Sequence, residues 1–297
     1  MPSRTWNLAS KLAHLRQWLQ PSEVAFQRDH PRQQLELRLT QHEPATLDHA
    51  ASCVYRIGLW ENNLGAYKVL EGDPSGWGHL GLGVECGVWR LRTRFHLHTT
   101  VEGRGRESSA HRDAACCVAA TIALREDALA DWCGALKLRE FARPDFLTHR
   151  TQWGKRPFYP FMTWLYANWR GGEIDTSNPA FHKLGVYKKV VEGWDDDAAL
   201  AKALKKTCDY HCSRTVPDPE EKSDQEFWEP PFPVFPAELL AIQRVREEQT
   251  GRKVPVDHPL MNSPLGSVPD SVPKFEDPLL ERFKERIVSE ERRRTDG

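Results

Sequence analysis

Asp73-Pro74-Ser75-Gly76-Trp77-Gly78-His79-Leu80-Gly81-Leu82-Gly83-Val84-Glu85-Cys86-Gly87-Val88-Trp89-Arg90-Leu91-Arg92-Thr93-Arg94-Phe95 is the stretch whose reading decides the fold class. Its apolar residues Leu80, Val84, Val88, Leu91 and Phe95 recur at spacings of four, four, three and four. That is the period of one face of an α-helix. Asp73-Pro74 fits an N-cap followed by proline at the first helical position, where its missing N–H has no partner to lose. The stretch also holds Gly76-Trp77-Gly78-His79-Leu80-Gly81, a match to the dinucleotide pattern G-x-G-x-x-G. That pattern works only where a buried strand delivers a pyrophosphate to a helix N-terminus, with an acid about 20 residues later for the ribose. Here Asp73-Pro74 stands where the strand should be, and Glu102 falls on the same helix or its end. The glycines continue as Gly83 and Gly87, which reads as a helix face kept small so that a neighbour can approach. No nucleotide site is expected.

The same period governs the chain on either side. Trp6, Leu8, Leu12, Leu15, Trp18 and Leu19 trace a helix that Pro21 ends. A second runs from Pro21-Ser22-Glu23 through Leu35, Leu37 and Leu39, with a break expected at Pro31. A third starts at Pro44-Ala45-Thr46 and reaches Leu70, with Ala50, Val54, Ile57 and Leu64 on its buried face. Further helices are expected over 110–124, 128–141 and 160–169, with one or two more over 186–212. Strand-like alternation is confined to Arg92–Val101, where it continues the helix through Phe95. The expected fold is all-α, an irregular multi-helix bundle.

After Cys212 the composition shifts: twelve of the 21 prolines fall between Pro217 and Pro278. Pro236–Glu248 reads as a helix with Leu239, Leu240, Ile242 and Val245 as its apolar face. Val254–Pro273 carries too many prolines to be helical throughout. It holds Val256, Leu260, Met261, Leu265 and Val268, and so reads as a strap packed on helices. Leu279–Arg294 closes the chain as a charged helix. The organisation expected is a helical core over 1–214 and a proline-rich extension over 215–297, packed on the same domain.

Charge excludes one class of ligand. With 41 basic and 42 acidic residues in 297, the net charge is -1, and the halves 1–150 and 151–297 carry +2 and -3. Neither half offers a phosphate-neutralising footprint, so nucleic acid is not expected as a primary ligand. The longest low-polarity stretch, Ala114–Leu124, is about half the ~20 residues needed to cross a bilayer. The N-terminal ten residues lack the apolar run of a signal peptide. A cytoplasmic protein without a membrane segment is the expectation, with its seven cysteines as free thiols. Cys53, Cys86, Cys116, Cys117 and Cys133 lie in apolar helical patterns, where cysteine acts as a small hydrophobe.

Neither a metal nor a cofactor is expected. Cys208, His211 and Cys212 share one side of a helix, but no second ligand pair completes the four that structural zinc takes. His96-Leu97-His98 lies in a helix, where the two rings diverge by about 200°. Of catalytic patterns, H-E-x-x-H, G-x-S-x-G and a Walker-type loop are all missing.

The acidic groups are the more suggestive. Asp195-Asp196-Asp197 reads as a cap for the next helix, since carboxylates favour helix N-termini. Asp218, Glu220, Glu221, Asp224, Glu226 and Glu229 lie on a proline-bounded loop beside Phe227, Trp228 and Phe232. If exposed, such a loop suits a basic partner surface, with aromatic anchors supplying energy and carboxylates steering encounter. The eleven tryptophans are spread over most of the helices and are expected mainly in the core.

Phe235-Pro236-Ala237-Glu238-Leu239-Leu240-Ala241, followed by Val256-Asp257-His258-Pro259-Leu260-Met261-Asn262-Ser263-Pro264-Leu265, closes a tryptophan-rich helical chain. That layout resembles the helical immunity proteins of bacterial polymorphic-toxin and type VI secretion systems, of the immunity protein 49 family type. The resemblance rests on the helical layout and the His-Pro-Leu-Met stretch, and carries over no binding residue position by position. It implies a cytoplasmic protein without catalysis that binds one cognate toxin and occludes its active site. For a toxin with a basic cleft, the contact residues expected are Asp195, Asp196, Asp197, Asp218, Glu220, Glu221, Asp224, Glu226, Phe227 and Trp228. Two alternatives stand beside it: a small-molecule enzyme using helix-borne acids such as Glu61 or Glu85, and a scaffold or regulatory module.

Overall fold

The structure, a computed structural model, describes residues 6–41, 43–98, 109–141, 156–172, 174, 181–215 and 226–295. The fold is all-α, and no strand occurs among the described residues. No helix among them is long and apolar enough to cross a membrane. The chain forms two compact units: a central unit of Met1–Leu8 and His111–Asp270, and a terminal unit of Ala9–Ala110 and Ser271–Gly297. The division therefore does not fall at 214/215. The expected extension is shared, with 215–270 in the central unit and 271–297 in the terminal one.

The terminal unit is built on a helical hairpin of α4 (Pro44–Leu70) and α5 (Gly76–His98). Ahead of it come α1 (Leu8–Trp18), α2 (Pro21–Val24) and α3 (His30–Leu39). A π-helical turn, Ala25–Asp29, joins α2 to α3. It takes the place of the break expected at Pro31, because a wider turn accommodates a residue without an N–H. Leu35 is buried as expected, whereas Leu37 faces solvent at 49% exposure. In α1 only Leu15 is fully buried.

The hairpin's packing resolves the glycine-rich motif. A Cβ at Gly65 would lie 2.7 Å from the Gly76 carbonyl oxygen, and one at Gly58 would lie 2.7 Å from Cys86 Cβ. A Cβ at Gly83 would meet the Gly58 carbonyl oxygen at 2.8 Å. Gly58 and Gly65 thus face Gly83 and Gly76, one heptad apart on each helix, and the backbones touch where any larger residue would hold them apart. The glycines serve helix packing.

The closing helix α12 (Pro278–Thr295) inserts Leu280, Phe283 and Ile287 among Leu35, Leu47, Ala50, Val54, Ile57 and Leu82. Burying a side chain such as Phe283 is worth about 1.5–3 kcal/mol, which is why 271–297 belongs to this unit. Ion pairs surround that contact, including Lys284–Glu85 at 2.5 Å and Arg92–Glu291.

The central unit holds α6 (Ser109–Ala123), α7 (Asp127–Phe141), α8 (Phe158–Arg170), α9 (Lys188–Glu192), α10 (Asp197–Ser213) and α11 (Ala237–Thr250). Its core is aromatic: Phe161 stacks on Tyr187 at 4.3 Å, and Phe158, Phe227 and Phe235 are fully buried. Of the strap's expected apolar residues, Leu260, Met261 and Leu265 are buried, with Val254 beside them, whereas Val256 and Val268 are half-buried. Two buried tryptophans of this unit find hydrogen-bond partners, Trp169 donating to Glu248 and Trp194 to Gln249, whereas the buried indole N–H of Trp60 in the other unit has none. Arg244, also buried, donates to the Ile122 carbonyl, Asp127 and Glu248, tying α6, α7 and α11 together.

Candidate functional site

The acidic residues proposed from sequence separate into three groups. Asp218, Glu220, Glu221 and Asp224 lie outside the described residues. Asp196 caps α10, accepting from the backbone N–H groups of Ala198 and Ala199 at 2.9 and 3.0 Å. Asp197 is engaged by Arg246 and Arg252, each at 3.2 Å. Asp195 points outward at 97% exposure, with Arg246 at 3.9 Å. An exposed pair at that distance contributes little, so Asp195 is the carboxylate of the three still open to a partner.

Glu226 and Phe227 correct the expectation of an exposed loop. Glu226 is 2% exposed and accepts from the Phe158 N–H at 3.2 Å and from the Tyr210 hydroxyl. Burial pushes its carboxyl up to about 8, against the pull of those two hydrogen bonds. Phe227 is fully buried, edge-on to Phe158 at 5.0 Å and stacked on His211 at 4.5 Å. Neither side chain is available to a partner, because both anchor the segment to the aromatic core.

Trp228, one residue on, emerges at 47% exposure. The Arg112 guanidinium lies 5.4 Å from the centre of its ring. Arg112 is held by Asp113 at 3.0 Å and Glu229 at 2.9 Å. Burial disfavours its charge, but the two carboxylates more than offset that and keep it a cation. An exposed indole thus stands on a fixed base, beside an arginine that the sequence reading had not singled out. The side chain was legible as aromatic; its exposure was not, because Phe227 and Trp228 look alike in composition.

The histidines have separate fates. His211 lies on α10 with Nδ1 2.6 Å from Glu238 Oε1, and both side chains are fully buried. A carboxylate only accepts, so Nδ1–H is the donor. Cys208 and Cys212 are buried on the same helix with neither in a disulfide, and burial pushes the Cys208 thiol above its usual range. His96 lies in α5. Among the described residues no group of three or more His, Cys, Asp or Glu is arranged to hold a metal ion.

In the terminal unit, Glu61 of α4 and His79 of α5 meet at 2.7 Å through Nδ1. Gly65 faces Gly76 and Gly58 faces Gly83, so the intervening turn brings position 61 against position 79. Pairing those glycines across the hairpin is the sequence signal that would have found the dyad. His79 lines an open cleft of about 510 Å³, together with Glu61, Arg32 and Asp277. Glu85, the other helix-borne acid considered, is spent on Lys284. No family model matches this chain, and neither a curated protein nor a solved structure matches it.

Proposed function

We propose that the chain is a binding protein of the immunity type, which captures a cognate toxin in the cytoplasm and occludes its active site. The observation that supports this reading is Trp228: an exposed indole whose chain neighbours Glu226 and Phe227 are locked into the core. A partner need not order such an anchor on binding, and aromatic and arginine anchors dominate interface energies. Arg112 lies beside it, and the acidic residues Asp218, Glu220, Glu221 and Asp224 precede it in the chain. That composition suits a basic toxin surface, with the carboxylates accelerating encounter.

Co-expression with the product of the adjacent upstream gene tests the reading through growth rescue and copurification. Rescue with a stable complex is expected, and Trp228→Ala should weaken that complex by roughly 30-fold, the size of a hot-spot loss. A complex that forms without rescue points to the scaffold alternative. Absence of both toxicity and complex refutes the proposal.

A further inference from the structure

Two carboxylates stand at the back of the terminal unit's cleft, and each holds a nitrogen group at the front. Asp277 accepts from two of the five N–H donors of Arg32, at 2.6 and 3.1 Å, and Glu61 accepts from Nδ1–H of His79 at 2.7 Å. The carboxylates are 8% and 7% exposed, against 34% for Arg32 and 19% for His79. Asp277 is further committed to the start of α12, where it accepts from the N–H groups of Leu279 and Leu280. Burial disfavours the Arg32 charge, but Asp277 and then Glu61 outweigh it, so the guanidinium stays a cation beside the histidine pair.

With Nδ1–H donated to Glu61, the neutral His79 ring carries its lone pair on Nε2, which accepts a proton and donates none. Phe275 fixes the ring a second time, meeting it edge-on at 4.8 Å. Phe275 can lie there because residue 78 is glycine: a Cβ would fall 2.7 Å from its ring. Arg32 keeps the other three of its five N–H groups for an oxygen. Around them the charges nearly balance. Asp277 cancels Arg32, and at the rim the exposed Lys274 ammonium is set against the exposed Glu276 carboxylate. Only the charge of Glu61 is left over, behind its histidine. An anion is therefore not favoured, and a cation would meet Arg32. A neutral substrate fits, with Leu82 and Phe275 as apolar wall.

We infer that this cleft is a hydrolytic site for small neutral carboxylic esters, with His79 as general base. Nε2 takes a proton from water as the water oxygen bonds to the ester carbonyl carbon. The carbonyl π pair moves onto its oxygen, where the Arg32 N–H groups receive the developing charge. When the tetrahedral adduct collapses, the C–O bond to the alcohol breaks and Nε2–H returns the proton to the departing oxygen. The products are a carboxylic acid and an alcohol, with water the sole co-reactant. Glu61 and Asp277 are positioning residues. Glu61 fixes the tautomer and steadies the imidazolium that forms, as a third group does behind a catalytic base. The cleft lies wholly within the terminal unit, and the inference is independent of partner capture.

The test uses the full chain without any partner. Phenyl acetate hydrolysis is followed by phenol release, with phenyl phosphate as the anionic comparison and the heat-unfolded chain as blank. The expected result is saturable release from phenyl acetate above the blank, slower in heavy water, and none from phenyl phosphate. His79→Gln should lower kcat/KM by about 100-fold, the lower end of what a positioned base contributes, with its circular dichroism melt showing the fold retained. Glu61→Gln keeps an acceptor for Nδ1–H and loses the charge. Its kcat should fall by about tenfold with KM little changed, a split that a merely structural role would not give. The parent chain and Glu61→Gln decide the matter even where His79→Gln fails to fold. No saturable turnover, turnover insensitive to heavy water, equal turnover of phenyl phosphate, or kcat unchanged in either folded variant overturns the inference.

Discussion

Two histidine–carboxylate pairs in this protein have nearly the same geometry and opposite surroundings. His79–Glu61 closes at 2.7 Å and His211–Glu238 at 2.6 Å, each through Nδ1. The first ring lines a cleft; the second lies beneath Phe227 with neither side chain exposed. The difference teaches that pair chemistry does not make a site. What matters is whether the second ring nitrogen can be reached. In the central unit the pair is a fastening inside an aromatic core. In the terminal unit the same pair stands in the wall of an open cleft.

The largest effect bears on how the accessible pair is assembled. Gly83→Leu puts a side chain where the Gly58 backbone already lies, and should cost more than about 4 kcal/mol, read as a urea midpoint shift. A tolerated leucine would mean that backbone contact does not set the register of Glu61 and His79. Next comes the buried pair. Glu238→Ala leaves His211 without its partner and should cost about 3–5 kcal/mol at neutral pH. Glu61→Ala should cost about 1 kcal/mol, because His79 is partly open to water. Equal losses in equilibrium unfolding would break the comparison.

Glu226 sharpens it through pH. Its folded carboxyl is raised to about 8, so the folded chain binds more protons than the unfolded chain across the range between. The stability it contributes is full below the ordinary carboxylate range and is lost as pH rises through about 8. Lys137 has the opposite sign: burial lowers it to about 7, so its cost is greatest at low pH and fades as pH rises above that value. Glu226→Gln should remove the alkaline loss, worth a few kcal/mol at order of magnitude, as measured by melting between pH 5 and 9. A parallel pH profile in the two proteins would contradict the assigned burial. The smallest effect on stability belongs to Trp228→Ala, expected within about 0.5 kcal/mol of the parent. A larger loss would make Trp228 part of the core rather than an anchor for a partner.

Much of the helical layout was legible. The three-and-four spacing of Leu80, Val84, Val88 and Leu91 placed α5, and all four side chains are buried. The apolar face Leu239, Leu240, Ile242 and Val245 placed α11 in the same way. Period and composition suffice there because helix formation is local and one stripe must be buried. The site was less legible. Asp196 as a cap was readable, since capping acts over two or three residues.

Sequence by itself determined the all-helical class, the packing role of the glycine-rich segment and the buried strap. Each follows from patterns within a few turns of chain. Tertiary structure alone decided that Glu226 and Phe227 turn inward while Trp228 turns outward, since burial depends on what else arrives at that surface. It alone brought Arg32 to Asp277, 245 residues away, and so built the front and back of the cleft. An ion pair between distant segments leaves no periodic trace, because its partners meet only after the helices carrying them have packed.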